Sequence, residues 1–203
     1  MDTLDLLRLQ TRAMWTHSAD GLGGGTIHAV ISTYDGRSEL LRGATVVGPD
    51  TATAATQARC WRLAPEPSPV PAPRDLALVT VGADLPVPDT WSSTDWAALL
   101  SGERGPWIAL THNGRMVSLA HSARLSDTAA EVGVQTEPAF RGRGLAPIVV
   151  RGWAARLAAS RRYLFYSAFE DNPASHRVAV KCGATPLGRL CRLYLDEQIS
   201  GTG

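Results

Sequence analysis

Lysine is almost missing from this 203-residue chain: Lys181 stands alone against 19 arginines. Acidic residues number 19, so the formal charge is only +1. No strongly basic surface is available to make nucleic acid or an anionic membrane the main partner. Cysteine is scarce too, with Cys60, Cys182 and Cys191 far apart and in no Cys-x-x-Cys pair. That excludes a disulfide framework and a structural zinc site, and no metal is expected. No apolar run approaches the roughly 18 residues of a membrane span. The opening residues, with Asp2 and Asp5, lack the basic start of a secretory signal. A reducing cytoplasm is the expected setting. Arginine in place of lysine, with abundant alanine, reads as the codon bias of a G+C-rich bacterium.

What is present suits a globular fold. Hydrophobic residues make up 44% and charged residues 19%, enough to bury a core without staples. Prolines at 65, 67, 69, 71 and 73 forbid helix and central strand there, so an extended connector is expected. It divides an N-terminal α+β region, residues 1–73, from a main domain, residues 74–203. In the first region, residues 2–15 read as a helix with Thr3 as N-cap, and 27–32 and 44–47 as strands. The Gly21–Gly25 cluster has no strand before it and no Gly-Lys-Ser/Thr, so it reads as a flexible turn, not a phosphate loop.

The second region is denser in pattern. Strands are expected at 76–81, 107–111, 116–123, 129–136, 163–169 and 187–195, and helices at 93–100, 147–160 and 173–182. Asn113-Gly114 between two strands is the strongest hairpin signal in the chain, because both positions tolerate positive φ. Strands mixed with helices in this order mean an α/β or α+β layer structure.

One stretch carries chemistry. A strand ends at Thr136, and Arg141-Gly142-Arg143-Gly144-Leu145-Ala146 leads into a helix. Such a turn points unpaired backbone N–H groups one way, at the positive end of a helix, which suits a diphosphate. Arg141 and Arg143 would add charge at its rim. The third glycine of a dinucleotide-binding fingerprint is absent. Farther on, Asn172 suits an N-cap, Pro173 the first helical position and Gly183 the residue beyond the helix end.

These two blocks resemble the GNAT superfamily of acyl-CoA-dependent N-acyltransferases. Arg141, Gly144 and Ala146 match its Gln/Arg-x-x-Gly-x-Gly/Ala turn, and Asn172-Pro173-Ala174-Ser175 with Lys181-Cys182-Gly183 matches its second block. The likeness is close over roughly residues 107–195. It implies a mixed, mostly antiparallel sheet flanked by helices and splayed at the cofactor-binding strand. It further implies direct transfer of an acetyl group from acetyl-CoA to a primary amine, small or on a protein, in a ternary complex. Val134, Gln135 and Thr136 would pair with the pantetheine through their backbone. Gly142 to Ala146 would hold the diphosphate, and Asn172 would touch the pantetheine arm. A second copy of the chain is a candidate partner. The alternative is a catalytically silent CoA-binding regulatory module.

Several family members place a glutamate five residues before the strand's end, which makes Glu131 the candidate base. Alternation puts Ala129, Glu131, Gly133 and Gln135 on one face and Ala130, Val132, Val134 and Thr136 on the other. The second face is expected to pack on the helix after the loop. The first is expected to line an open cleft, with Gly133 leaving room beside Glu131. Asp127 and Glu170 are the fallback bases. The tyrosine that many members carry seven residues after the asparagine is here Ala179, which leaves Tyr166, His176 or water to meet the departing thiolate. His17, His28, His112 and His121 are scattered and read as surface or satisfied core.

Overall fold

A computed structural model describes residues 1–15, 27–41, 52–64, 71–80, 84–160 and 162–195. Four helices are described: α1 Thr3–Trp15, α2 Ser93–Leu100, α3 Leu145–Leu157 and α4 Pro173–Lys181. The strands are β1 Ile27–Thr33, β2 Ser38–Leu41, β3 Ala52–Leu63, β4 Ala77–Val79, β5 Trp107–His112, β6 Arg115–Leu125, β7 Ala129–Thr136, β8 Tyr163–Phe169 and β9 Thr185–Leu195. They form one sheet in the order β2-β1-β9-β3-β8-β7-β6-β5-β4. Every pairing in it is antiparallel except that of β7 with β8.

The local signals hold where side chain and backbone agree. The β5–β6 hairpin turns through Asn113 and Gly114 at φ 49° and 74°, the two positive values that such a turn requires. Helix α2 is capped by Ser92, whose Oγ accepts the Asp95 N–H at 3.0 Å. Helix α1 starts one residue earlier in its cap than expected. Asp2 Oδ1 accepts the Asp5 N–H at 2.9 Å and Asp5 Oδ2 accepts the Asp2 N–H, a reciprocal box that does not use Thr3. Helix α3 begins at Leu145, so Pro147 lies inside its first turn, where a missing donor costs nothing.

The N-terminal residues complete the sheet: β3 lies between β8 and β9 and pairs with both. Neither β3 nor β2 stands out as alternating in the sequence, because Ala, Thr and Gln dominate the first half of β3. The expected strand at 44–47, the glycine cluster at 21–25 and the prolines at 65, 67 and 69 lie outside the described residues.

Two layers cover the sheet. On one face, α3 and α4 bury Ile108, Leu110, Ala130, Val132, Trp153 and Leu164 in a single core. Trp153, fully buried, donates its Nε1–H to Ser122 Oγ at 3.1 Å, so its polar atom is satisfied inside that core. On the other face, α1 packs Leu6 and Leu7 on Ile31, Cys60, Ala129 and Phe165. Beside it, α2 packs Trp96 and Leu99 on Trp107, Ala109 and Leu119. The alternation expected for β7 is therefore observed, with Ala130 and Val132 toward α3 and Ala129 toward α1.

Candidate active site

The parallel pairing of β7 with β8 is brief. It runs through Ala129↔Tyr163, Ala130↔Leu164 and Glu131↔Phe165 and then stops, and the two strands part. Among the described residues no strand pairs with residues 132–136 of β7 on that edge, so their backbone N–H and C=O groups face the gap. A groove of about 430 Å³ fills the gap, lined by Val134, Gln135 and Thr136 on one side and Asn172, Ser175 and Val178 on the other.

The outer end of the groove is the turn into α3. After a single 3₁₀ turn, Pro138–Phe140, the chain passes through Gly142 and Gly144 at φ 78° and 77°. Left-handed backbone is nearly free for glycine and costs an L-residue about 1–2 kcal/mol. A Cβ at either position would meet nothing within 4 Å, so the space above the turn is open. Gly144 caps α3 without a side-chain bond, leaving the first-turn N–H groups facing the groove beside Leu145 and Ala146. Arg141 lines the same groove, and its Nε–H donates to the Thr136 carbonyl at 3.1 Å.

Arg143 goes elsewhere. Its guanidinium pairs with Asp75 at 2.8 Å and lies over the Phe140 ring, and it is not among the residues lining the groove. The pairing holds the Asp75 carboxyl below its ordinary range. In its place α4 brings Arg177 and Lys181 to the groove wall together with Ala174 and Val178. Spacings of three, four and seven residues put these four on one helical face, a signal legible in the sequence once α4 is placed.

Asn172 caps α4 and lies on the groove wall. Its Oδ1 accepts the Ser175 N–H at 3.0 Å.

Glu131, the last β7 residue paired with β8, was expected to line an open cleft but is not among the residues lining the groove. It is 3% exposed, on the face covered by α1. Ser167 Oγ–H donates to its Oε1, and the Arg124 guanidinium stands 3.4 Å from Oε2. Oε2 accepts no hydrogen bond among the described residues. The room that Gly133 was expected to leave beside it is taken by the imidazole of His121, the cross-strand partner of Gly133. His121 in turn lies edge-to-face against Trp91, and burial lowers its pKa to about 4. Trp91 donates its Nε1–H to Gln135 Oε1 at 3.1 Å, and Gln135 Nε2 donates to Thr90 Oγ1 at 2.6 Å. The Gln135 backbone thus belongs to the groove while its side chain ties down the segment before α2. The sequence offered no sign of this cluster beyond a histidine opposite a glycine.

The other candidates sort by their partners. Glu170 is held by Arg59 at 2.6 and 3.0 Å, which keeps its carboxyl below the usual range and makes it a weak base. Asp127 is exposed in the β6–β7 turn, about 20 Å of strand from Val134. His176 donates its Nε2–H to the Phe169 carbonyl at 2.9 Å and lies tilted against the Trp61 ring. Tyr166, buried, has its hydroxyl 2.7 Å from Ser175 Oγ. Cys60 and Cys182 are buried with raised pKa values, so they remain thiols and pack as small apolar groups. Among the described residues, no group of three or more His, Cys, Asp or Glu side chains could hold a metal ion, and no helix is long and apolar enough to cross a membrane.

Residues 94–186 match the family model described as GNAT acetyltransferase. Solved structures share the fold. A putative GNAT-family acetyltransferase from Novosphingobium aromaticivorans DSM 12444 is 18% identical with a TM-score of 0.54, covering 76% of this chain and 71% of that one. A tandem GNAT protein from the clavulanic acid biosynthesis pathway is 15% identical with a TM-score of 0.56, covering 92% and 70%. A GNAT-family acetyltransferase from Colwellia psychrerythraea is 16% identical with a TM-score of 0.51, covering 71% of this chain but only 58% of its own. This chain therefore spans less than two thirds of that relative. No curated protein matches it in sequence.

Proposed function

Through residues 94–186 the chain belongs to the GNAT superfamily, and on that premise we propose that it transfers an acetyl group from acetyl-CoA to a primary amine by direct attack. The observation that carries this reading is the parting of β7 from β8 beyond the Glu131↔Phe165 pair, above a left-handed glycine turn at the head of α3. The gap has the form of a slot for an extended arm with amide groups, and the turn that of a seat for paired phosphates. Acetyl-CoA would supply an activated thioester carbonyl at the inner end of the slot.

Each residue then has a task. The amides of Gly142 to Ala146 and the cations Arg141, Arg177 and Lys181 would hold the phosphates. Backbone groups of Val134, Gln135 and Thr136 would pair with the arm, and an N–H on this edge would polarise the thioester carbonyl. Asn172 would contribute its amide nitrogen to the arm. An alkylamine with pKa about 10.4 spends roughly 4–5 kcal/mol to reach its neutral form at pH 7, so a base is needed. Glu131 is assigned that role. Its Oε2, 3.4 Å from the Arg124 guanidinium, accepts no hydrogen bond among the described residues and offers a lone pair for the proton.

The reading is tested in two steps. Calorimetry should record binding of acetyl-CoA by the full chain. A free-thiol assay across small amines, amino acids and peptides should then record CoA release that depends on the amine. Absence of heat and of any thermal shift with acetyl-CoA would overturn it.

A further inference from the structure

The hydroxyl pair between β8 and α4 has no part in the scheme above. Tyr166 is the first β8 residue beyond the last β7–β8 pair, so it stands where the slot begins to open. It is 1% exposed and shares the α3–α4 core with Ala179 and Cys182, its ring edge toward Trp61 at 6.0 Å. Its hydroxyl lies 2.7 Å from Ser175 Oγ. Ser175 lines the groove, and its backbone is fixed by the Asn172 cap. Ala179, where the family resemblance leads one to expect a tyrosine, is fully buried and presents nothing to the groove.

The direction of the hydrogen bond follows from burial. Of two hydroxyls in contact, only one donates to the other. Were Ser175 the donor, the Tyr166 O–H would have no acceptor among the described residues, and a buried unbonded donor is costly. Tyr166 therefore donates to Ser175 Oγ, and the Ser175 proton is free to turn into the groove. Burial pushes the Tyr166 phenol up to about 12, so it remains a donor at every pH at which the enzyme would work. Val178 on the same wall and Val134 on the opposite one line the groove with Ser175, and an apolar surround strengthens a hydrogen bond to a developing charge.

We propose that Ser175, oriented by Tyr166, donates a hydrogen bond to the departing sulfur of the acetyl thioester. This rests on the acetyl-CoA reading. In the step, the amine nitrogen bonds to the carbonyl carbon, the carbon–sulfur bond breaks, and its electron pair goes to sulfur. The amine's surplus proton goes to the base. Ser175 keeps its own proton and stabilises the thiolate, which later takes a proton from solvent. Ser175 touches the reacting atoms, whereas Tyr166 is a positioning residue.

The test is the titration of CoA bound to the full chain, followed by the ultraviolet absorbance of the thiolate. The bound thiol should titrate lower in the wild type than in Ser175→Ala and Tyr166→Phe, by about one pKa unit. Both variants should lose kcat about 10- to 100-fold with KM for acetyl-CoA little changed, and Ser175→Thr, which keeps a hydroxyl, should recover most of the rate. An identical thiol pKa in the wild type and both variants overturns the proposal. So does a raised KM at constant kcat, which would make Ser175 a holder of the arm. If the wild type binds and turns over acetyl-CoA while the variants behave as wild type, this inference alone falls. If the wild type does not bind acetyl-CoA, both readings fall.

Discussion

His121 occupies the space that a side chain at Gly133 would need. A Cβ at Gly133 would lie 2.5 Å from His121 Cε1 and 2.8 Å from Nε2, with Ala123 Cβ at 3.1 Å. These two residues are cross-strand partners on β6 and β7, so the glycine is required by the ring opposite it and not by the turn of its own backbone.

Gly133→Ala should therefore destabilise the protein by about 1–3 kcal/mol, the usual cost of overpacking a filled site. His121→Ala made in the same chain should return part of that loss, because it removes the clashing ring. A double-mutant cycle from urea denaturation measures the coupling, and additive effects would show that the two side chains do not compete for one space.

Acid should weaken the fold through the same histidine. Its folded pKa, lowered to about 4 by burial, lies below the unfolded value near 6.5. Between these values the unfolded chain binds a proton that the folded chain does not. The stabilising difference is complete above about pH 6.5 and is lost as pH falls toward 4, by roughly 3 kcal/mol at the limit. Urea midpoints followed from pH 7.5 to 4.5 should fall more steeply for the wild type than for His121→Gln. Equal slopes would mean that the imidazole is not what responds.

Glu131→Gln should reduce kcat by about 10²- to 10⁴-fold, the range for a lost general base, and leave KM for acetyl-CoA nearly unchanged. Glu170→Gln should keep its rate, because Glu170 is already committed to Arg59. If Glu131→Gln retained full activity at every pH, the base would have to be sought elsewhere. Loss of activity in Glu170→Gln alone would point to the rim of β8.

At the phosphate turn, Gly144→Ala should weaken CoA binding about tenfold by forcing an L-residue into left-handed backbone, at about 1–2 kcal/mol. Lys181→Ala should weaken it in a salt-dependent way, since Lys181 lines the groove. Arg143→Ala should hardly change it, since that guanidinium is spent on Asp75. Isothermal titration at two salt concentrations separates the three, and an effect of Arg143→Ala as large as that of Lys181→Ala would contradict the placement of Arg143.

Much of the scaffold is written in short stretches of the chain. The Asn113-Gly114 turn, the Asn172 cap and the two faces of β7 each depend on residues within one hairpin or one helix, where backbone preference and alternation act alone. The glycines at 142 and 144 mark the head of α3 for the same reason. Long-range partnerships leave no such trace. Nothing near Cys60 or Trp61 announces that β3 will lie between β8 and β9, and nothing near Arg59 names Glu170, 111 positions away, as its partner. Arg143 is indistinguishable from Arg141 until Asp75 is folded beside it. The His121 ring on Gly133, Ser167 on Glu131 and Tyr166 under Ser175 all arise where separate strands and helices meet. Local conformational energy chose the turns and caps, whereas the burial of polar atoms, each needing a partner from another element, chose the company that the site residues keep.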